Sequence, residues 1–251
     1  MAGVEGRVAL VTGAGRGIGR ATAELLASRG AKVMCVARTE KELAEVGLEY
    51  TTSDLGTQDG CAHAIDEAEQ RLGPVDILVC NHGLGSAHER LVWEQDPEVW
   101  DEMMCINLDG PFHLSRLLLK GMTERNYGRL VYTSSTAGLV AEHAGSAYTA
   151  SKHGLLGLMR SVATDAGAFG ITSNAVLPGW VRTAMAERSA AAEAKQRDIT
   201  TDQVWEERAA LYPAGRVATP EEVAAMIAFL ASEEASGVSG EAIRVALGSV
   251  W

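Results

Sequence analysis

The segment that most constrains this chain is Thr12-Gly13-Ala14-Gly15-Arg16-Gly17-Ile18-Gly19, which joins an apolar run to an amphipathic one. Residues 7–12 (R-V-A-L-V-T) read as a strand buried on both faces. After the turn, Ile18, Ala21, Leu25 and Leu26 recur on one helical face, and Gly30 ends the helix. Glycines between a strand and a helix let the backbone take positive φ and let a ligand approach without meeting a Cβ. The first N–H groups of the helix, at its positive dipole end, then face that gap and form a cradle for a diphosphate. Because this turn opens the first βα unit, it predicts a bound dinucleotide.

The alternation continues along the chain. Strands are predicted over residues 32–37, 49–52, 75–80, 129–133, 171–177 and 242–246. Helices are predicted over 40–46, 58–72 and 147–166, with one long helix from the Asp96-Pro97 cap to about residue 125. A capping box with proline at its first turn, Thr219-Pro220-Glu221-Glu222, opens a last helix. β-branched strands separated by helices imply a parallel sheet covered on both faces. The prediction is a single doubly wound Rossmann-type α/β domain spanning 1–251, with a sheet of about seven strands. No repeat, linker or low-complexity segment divides it.

Charge and cysteine usage narrow the function. A formal net charge of -11 over 251 residues argues against nucleic acid or an anionic membrane as partner. No apolar run is long enough to span a bilayer and no signal-like segment opens the chain, so a cytoplasmic protein is expected. Cys35, Cys61, Cys80 and Cys105 show no metal-site spacing. Cys35 and Cys80, in strand-like runs, are expected as reduced core thiols, and no metal is expected.

Tyr148 and Lys152 stand four apart, which places them on one face of a helix. A phenol is a poor base at neutral pH, but an adjacent ammonium favours its phenolate form. Ser134-Ser135 ends the preceding strand, and Ser135 lies thirteen residues ahead of Tyr148. Asn107 sits inside a predicted helix, where asparagine is unfavourable without a special role.

The spacing Gly13-x-x-x-Gly17-x-Gly19, together with Tyr148-Thr149-Ala150-Ser151-Lys152, resembles the short-chain dehydrogenase/reductase family. The resemblance covers nearly the whole chain. It implies interconversion of a ketone and a secondary alcohol by hydride transfer, with a small-molecule carbonyl or alcohol as substrate. Tyr148 is then the acid/base, and Ser135, with Ser134 as the adjacent alternative, holds the reacting oxygen. Lys152 holds the nicotinamide ribose, and Asn107 holds a water that links Lys152 to solvent.

The resemblance also implies the coenzyme contacts. Gly13, Gly15, Arg16, Gly17, Ile18 and Gly19 surround the diphosphate, and Asp54-Leu55 meets the adenine. Asn81 and Gly83 come from Cys80-Asn81-His82-Gly83, where the family usually has N-N-A-G; His82 is read as filling space or bonding locally. Pro178, Gly179, Val181 and Thr183 come from the P-G-W-V-R-T segment and meet the nicotinamide side, alongside Tyr148 and Lys152. At the end of the second strand, Ala37-Arg38-Thr39 replaces the acidic residue that would repel a 2′-phosphate. Arg38, with Arg16, therefore favours NADP(H) over NAD(H).

Substrate signals are sparser. Residues 184–213 are expected to form a mobile helical lid, with Trp180, Met185 and Trp205 as candidate lining and His143 as a solvated loop residue. The chain resembles 3-oxoacyl and polyketide ketoreductases as well as 3-hydroxyacid dehydrogenases. Gly85, Ala137 and Gly145 occupy the positions where 3-hydroxybutyrate dehydrogenases ligate the substrate carboxylate. Arg125 or Arg129 is the candidate contact for an acyl carrier. A homotetramer, or a homodimer, is implied, paired through the helices over 96–125 and 146–166 and through the last helix and strand, with Trp251 packed across an interface or onto a neighbour's pocket. The competing readings are a dinucleotide-binding regulator without turnover, which the complete Asn-Ser-Tyr-Lys set opposes, and a nucleotide-sugar epimerase, which would need a longer C-terminal domain.

Overall fold

A computed structural model describes residues 3–86 and 90–249; Trp251 lies outside them. Strands β1 (Val8–Thr12), β2 (Lys32–Ala37), β3 (Glu49–Thr52), β4 (Ile77–Cys80), β5 (Gly128–Thr133), β6 (Ile171–Pro178) and β7 (Ala242–Val245) form one sheet. Its order is β3-β2-β1-β4-β5-β6-β7, and every pairing is parallel. Helices α1 (Gly17–Ser28), α2 (Glu40–Ala44), α3 (Gln58–Leu72), α4 (Pro97–Met104), α5 (Gly110–Arg125), α6 (Ser146–Ala166), α7 (Ala184–Arg197), α8 (Thr201–Ala210) and α9 (Pro220–Leu230) connect and cover it.

The period of two along each strand sorts the side chains between two cores. Leu10, Met34, Leu78, Leu130 and Tyr132 pack with Ile65 of α3, Leu114 of α5 and Leu155 of α6. Val11, Val33, Cys35, Val79 and Val131 pack on the other face with Leu26 of α1 and Ile227 of α9. Burial pushes the Cys35 thiol up to about 12 and that of Cys80 well above its usual value, so neither is a thiolate.

Two expectations change. The helix expected over 96–125 is interrupted: Cys105–Asp109 is a π-helical turn between α4 and α5, with Asn107 buried inside it. Such a turn inserts one residue, and π-bulges are common at functional sites. Arg129 is not a surface contact for a carrier. It is 3% exposed, it ion-pairs with Glu233 at 3.0 Å, and it donates to the carbonyls of Gly128 and Gly170. It stands at the start of β5, at the end of the sheet away from the glycine turn. Arg125 is exposed and donates one bond to the Val75 carbonyl, 2.7 Å away.

Sheet order reverses between β1 and β4, and the crevice at such a reversal is where doubly wound folds bind ligands. The glycine turn leaves β1 there, directly beside the loop that leaves β4.

Candidate active site

The turn after β1 is shaped by backbone geometry. Gly13 and Gly17 have φ of 63° and 56°, which disfavours side chains. A Cβ on Gly19 would run into the carbonyl of Gly13 and come within 2.5 Å of the Asn81 amide nitrogen. Helix α1 begins at Gly17 with no side-chain cap and no acidic residue in its first turn. Its leading N–H groups therefore have no side-chain acceptor, which is the arrangement an anion completes. These residues fit a dinucleotide diphosphate.

Asn81 supports this cradle from behind. Its Nδ2 donates to the carbonyls of Thr12 (3.2 Å) and Gly13 (3.4 Å), so its side chain braces the turn instead of reaching outward. His82 also bonds locally: it lies 2.7 Å from Thr12 Oγ1 through Nδ1. Burial, with Lys152 nearby, lowers its pKa to about 3, so it is uncharged.

The adenosine side carries the expected cations in unequal states. Arg38 is exposed at the end of β2. Arg16 is held by Glu42 of α2 at 2.7 Å, and Gly15 leaves room for the Glu42 side chain. Sequence reading missed Glu42, because its contact is made across 26 residues. Asp54 accepts from the Gly56 amide at 3.1 Å, shaping its own loop, while Leu55 is buried behind it.

The four residues expected to carry the chemistry, Asn107, Ser135, Tyr148 and Lys152, lie toward the same end of the sheet. Tyr148 and Lys152 share a face of α6, with Nζ 5.6 Å from the phenol ring centre. Lys152 is buried and donates to the Thr133 carbonyl at 3.0 Å. Burial pulls its pKa down to about 8. The structure separates the two serines. Ser134 is buried and donates to the Lys152 carbonyl, whereas Ser135 is half-buried and its Oγ accepts from the Ala137 amide.

Asn107 is engaged at both ends. Its Oδ1 accepts from the Leu84 amide at 2.7 Å, and its Nδ2 donates to the Leu84 carbonyl and to Ser151 Oγ. It therefore ties the π-helical turn to the loop after β4 and to the residue beside Lys152. Gly83 permits this closeness, since a Cβ there would lie 3.0 Å from Asn107 Oδ1.

The mouth is bordered by three segments. Ser86, after β4, donates to Glu142 at 3.3 Å, and the Glu142 amide donates to Thr149 beside Tyr148. Met185 of α7 comes within 3.3 Å of where a Cβ on Gly85 would stand. His143 is exposed, as expected of a loop residue. Trp180 and Trp205 both turn onto Arg208, with its guanidinium 3.6 Å and 5.1 Å from their ring centres. Trp205 is buried in the lid's own core with Ala186, Ala190 and Val204, and the partly buried Trp180 packs against it.

A family model described as Enoyl-(Acyl carrier protein) reductase matches residues 13–249. The chain belongs to the short-chain dehydrogenase/reductase family. It is 39% identical over 250 residues to the "Monensin polyketide synthase putative ketoacyl reductase" of Streptomyces virginiae, covering 95% of each chain. It is 35% identical to a D-beta-hydroxybutyrate dehydrogenase of Cupriavidus necator, over 94% of this chain and 95% of that one. Among solved structures, an actinorhodin polyketide ketoreductase variant with NADPH superposes with a TM-score of 0.90 at 35% identity, covering 96% of both chains. As a member of this family, the chain is an NAD(P)(H)-dependent oxidoreductase acting on ketone and alcohol groups.

Proposed function

We propose that this enzyme reduces uncharged β-keto ester or thioester-like ketones with NADPH, using Tyr148 as proton donor. The observation that carries the reading is the convergence of Ser135, Tyr148 and Lys152 beside an anion cradle at the sheet's reversal. When bound, the coenzyme supplies the hydride. Ser135 Oγ, half-buried at the end of β5, orients the carbonyl oxygen, and the Tyr148 hydroxyl delivers the proton to it. Lys152 keeps a positive charge beside the phenol, which favours the phenolate left after that proton departs. Asn107 fixes the loop carrying Gly83 and the π-helical turn, and so positions the floor under Lys152. Val181 and Thr183 would meet the nicotinamide side, and Asp54-Leu55 the adenine.

NADPH is favoured because Arg38 is an exposed cation at the end of β2, with Arg16 of the glycine turn as a second cation. The relatives point the same way, one solved neighbour having been obtained with NADPH. An uncharged substrate is favoured because Gly85, Ala137 and Gly145 offer no clamp for a carboxylate, while Glu142 places a carboxyl group at the mouth. Assembly as a tetramer through α4, α5 and α6 is part of the same reading, supported by the half-exposed Trp100 and Phe112 on those helices.

The test is a ketone panel with both dinucleotides, followed at the absorbance of the reduced nicotinamide. Ethyl acetoacetate should be reduced and acetoacetate scarcely so. Tyr148→Phe should lower kcat by about 10²–10⁴-fold with coenzyme affinity retained. Turnover preserved in that variant refutes the role of Tyr148, and NADPH binding without turnover of any ketone favours a regulator instead.

A further inference from the structure

The lid is latched to the loop before it by a closed ring of side chains that the proposed chemistry does not use. The loop runs from Pro178 at the end of β6 to Thr183 at the cap of α7. Arg182 Nε donates to Glu187 of α7 at 2.9 Å, and Glu187 also accepts from Trp205 Nε1 of α8 at 2.9 Å. Arg208, one helical turn after Trp205, then reaches back to Trp180, its guanidinium 3.6 Å from the ring centre. The ring thus begins and ends within the loop. A second tie is parallel to it: the Trp180 amide donates to the Tyr212 hydroxyl at 2.6 Å.

Arg208 is the least replaceable member. It is 5% exposed. It donates to the Ala186 carbonyl at 3.3 Å, to Ser189 Oγ at 3.2 Å and to Glu193 at 2.9 Å, all on α7. A buried guanidinium is tolerable only while its charge is matched, and here its Nε has no hydrogen-bond partner among the described residues. Stacking on indole faces supplies part of that match. Lifting α7 and α8 away while Trp180 stays behind would strip that face from a desolvated cation, whereas moving lid and loop together would not.

We propose that Arg208 is a positioning residue that makes the lid and the Trp180–Thr183 segment one body, so that substrate closure and coenzyme grip are coupled. The proposal rests on the reading that Val181 and Thr183 face the nicotinamide. A lid that opens then pulls on those two residues against the main-chain bonds that tie Trp180 and Arg182 to Ala218, and a substrate that holds the lid shut relieves that pull and tightens the coenzyme's grip. Linkage makes the effect reciprocal: each ligand strengthens the other by the same factor.

Two measurements on the full-length enzyme test this. The first is the NADP⁺ dissociation constant by calorimetry, with and without ethyl acetoacetate, a pair that cannot exchange hydride. The wild type should bind NADP⁺ at least about fivefold tighter with the ketone present, and Arg208→Leu should bring that factor to near one. The second needs no ligand: hydrogen exchange of amides 180–183 and 184–210. In Arg208→Leu the lid amides should exchange about tenfold faster, while amides 180–183 no longer change in step with them and those of α1 stay unaltered. Should Arg208→Leu fail to fold, Arg208→Lys keeps the charge but lacks the planar stacking fork, and it should show the same changes at lower amplitude. An undiminished coupling factor in a folded variant, or unaltered exchange of the lid, overturns the proposal. Failure of the wild type to bind NADP⁺ at all defeats the coenzyme reading instead, and the exchange experiment still decides whether Arg208 joins lid to loop.

Discussion

Lys152 and Thr133 meet where α6 crosses the end of β5, the buried ammonium donating to the main-chain carbonyl at 3.0 Å. The ammonium is kept out of water, and burial lowers its pKa from 10.5 to about 8. Between these values the unfolded chain binds a proton that the folded protein does not, so stability rises with pH from about 8 towards 10.5. Below 8 both states are protonated, and the cost of burying the charge, on the order of 3 kcal/mol, is present in full. Lys152→Met removes that cost but leaves the Thr133 carbonyl without its donor, worth about 1 kcal/mol. The variant should therefore be more stable than wild type in urea unfolding at pH 7, with the gap closing by pH 10.5, while its turnover is lost. A variant less stable at pH 7 would contradict the buried-charge account.

Gly19 faces the tightest constraint in the turn, since the atoms a Cβ would strike belong to the Gly13 backbone and to Asn81, which is itself bonded to that backbone. Gly19→Ala should cost about 2 kcal/mol of stability and weaken NADP⁺ binding by at least about tenfold. Thermal unfolding and calorimetry would report the two effects separately.

Arg38 and Glu42 should move coenzyme preference in opposite directions. Removing the exposed cation by Arg38→Ala should lower kcat/KM for NADPH by about 10–100-fold and leave NADH almost untouched. Glu42→Gln releases Arg16 from its ion pair and removes a negative charge near the 2′-phosphate, so the NADPH to NADH ratio should rise. An unchanged ratio in both variants would place the 2′-phosphate elsewhere.

Arg129 gives a prediction about stability alone. Its ion pair with Glu233 and its bonds to the Gly128 and Gly170 carbonyls lie at the far end of the sheet. Arg129→Ala should destabilise the protein by about 3 kcal/mol without altering KM for ketone or coenzyme. A KM change at preserved stability would restore a role in carrier docking.

The strands were legible because their apolar runs are short, β-branched and bounded by glycine or proline; β2, β3 and α3 fall on the predicted residues. The glycine turn and the Tyr148 and Lys152 pair were legible because fixed spacing along one element carries their geometry. What sequence could not supply is contact across the chain. Spacing from Tyr148 singles out Ser135, but that Ser134 turns its hydroxyl to the Lys152 carbonyl is visible only in the fold. Glu42 on Arg16, and Arg208 between Trp180 and Trp205, join residues that no local period relates. The π-helical turn was missed because an added residue leaves composition unchanged; the asparagine at its centre was the one signal, and it was read as a role and not as a break in the helix.

That added residue fixes the length of this part of the chain. Each residue of an α-helix turns the axis by about 100°. Deleting any one position within Cys105–Asp109 would let α4 and α5 fuse into a regular helix, rotating everything on one side by that angle. Asn107 would then swing away from Leu84 and Ser151, or Leu114 away from the sheet. Both surfaces can be satisfied together only while the extra residue remains, so a shortening here is far more damaging than most substitutions at the same positions.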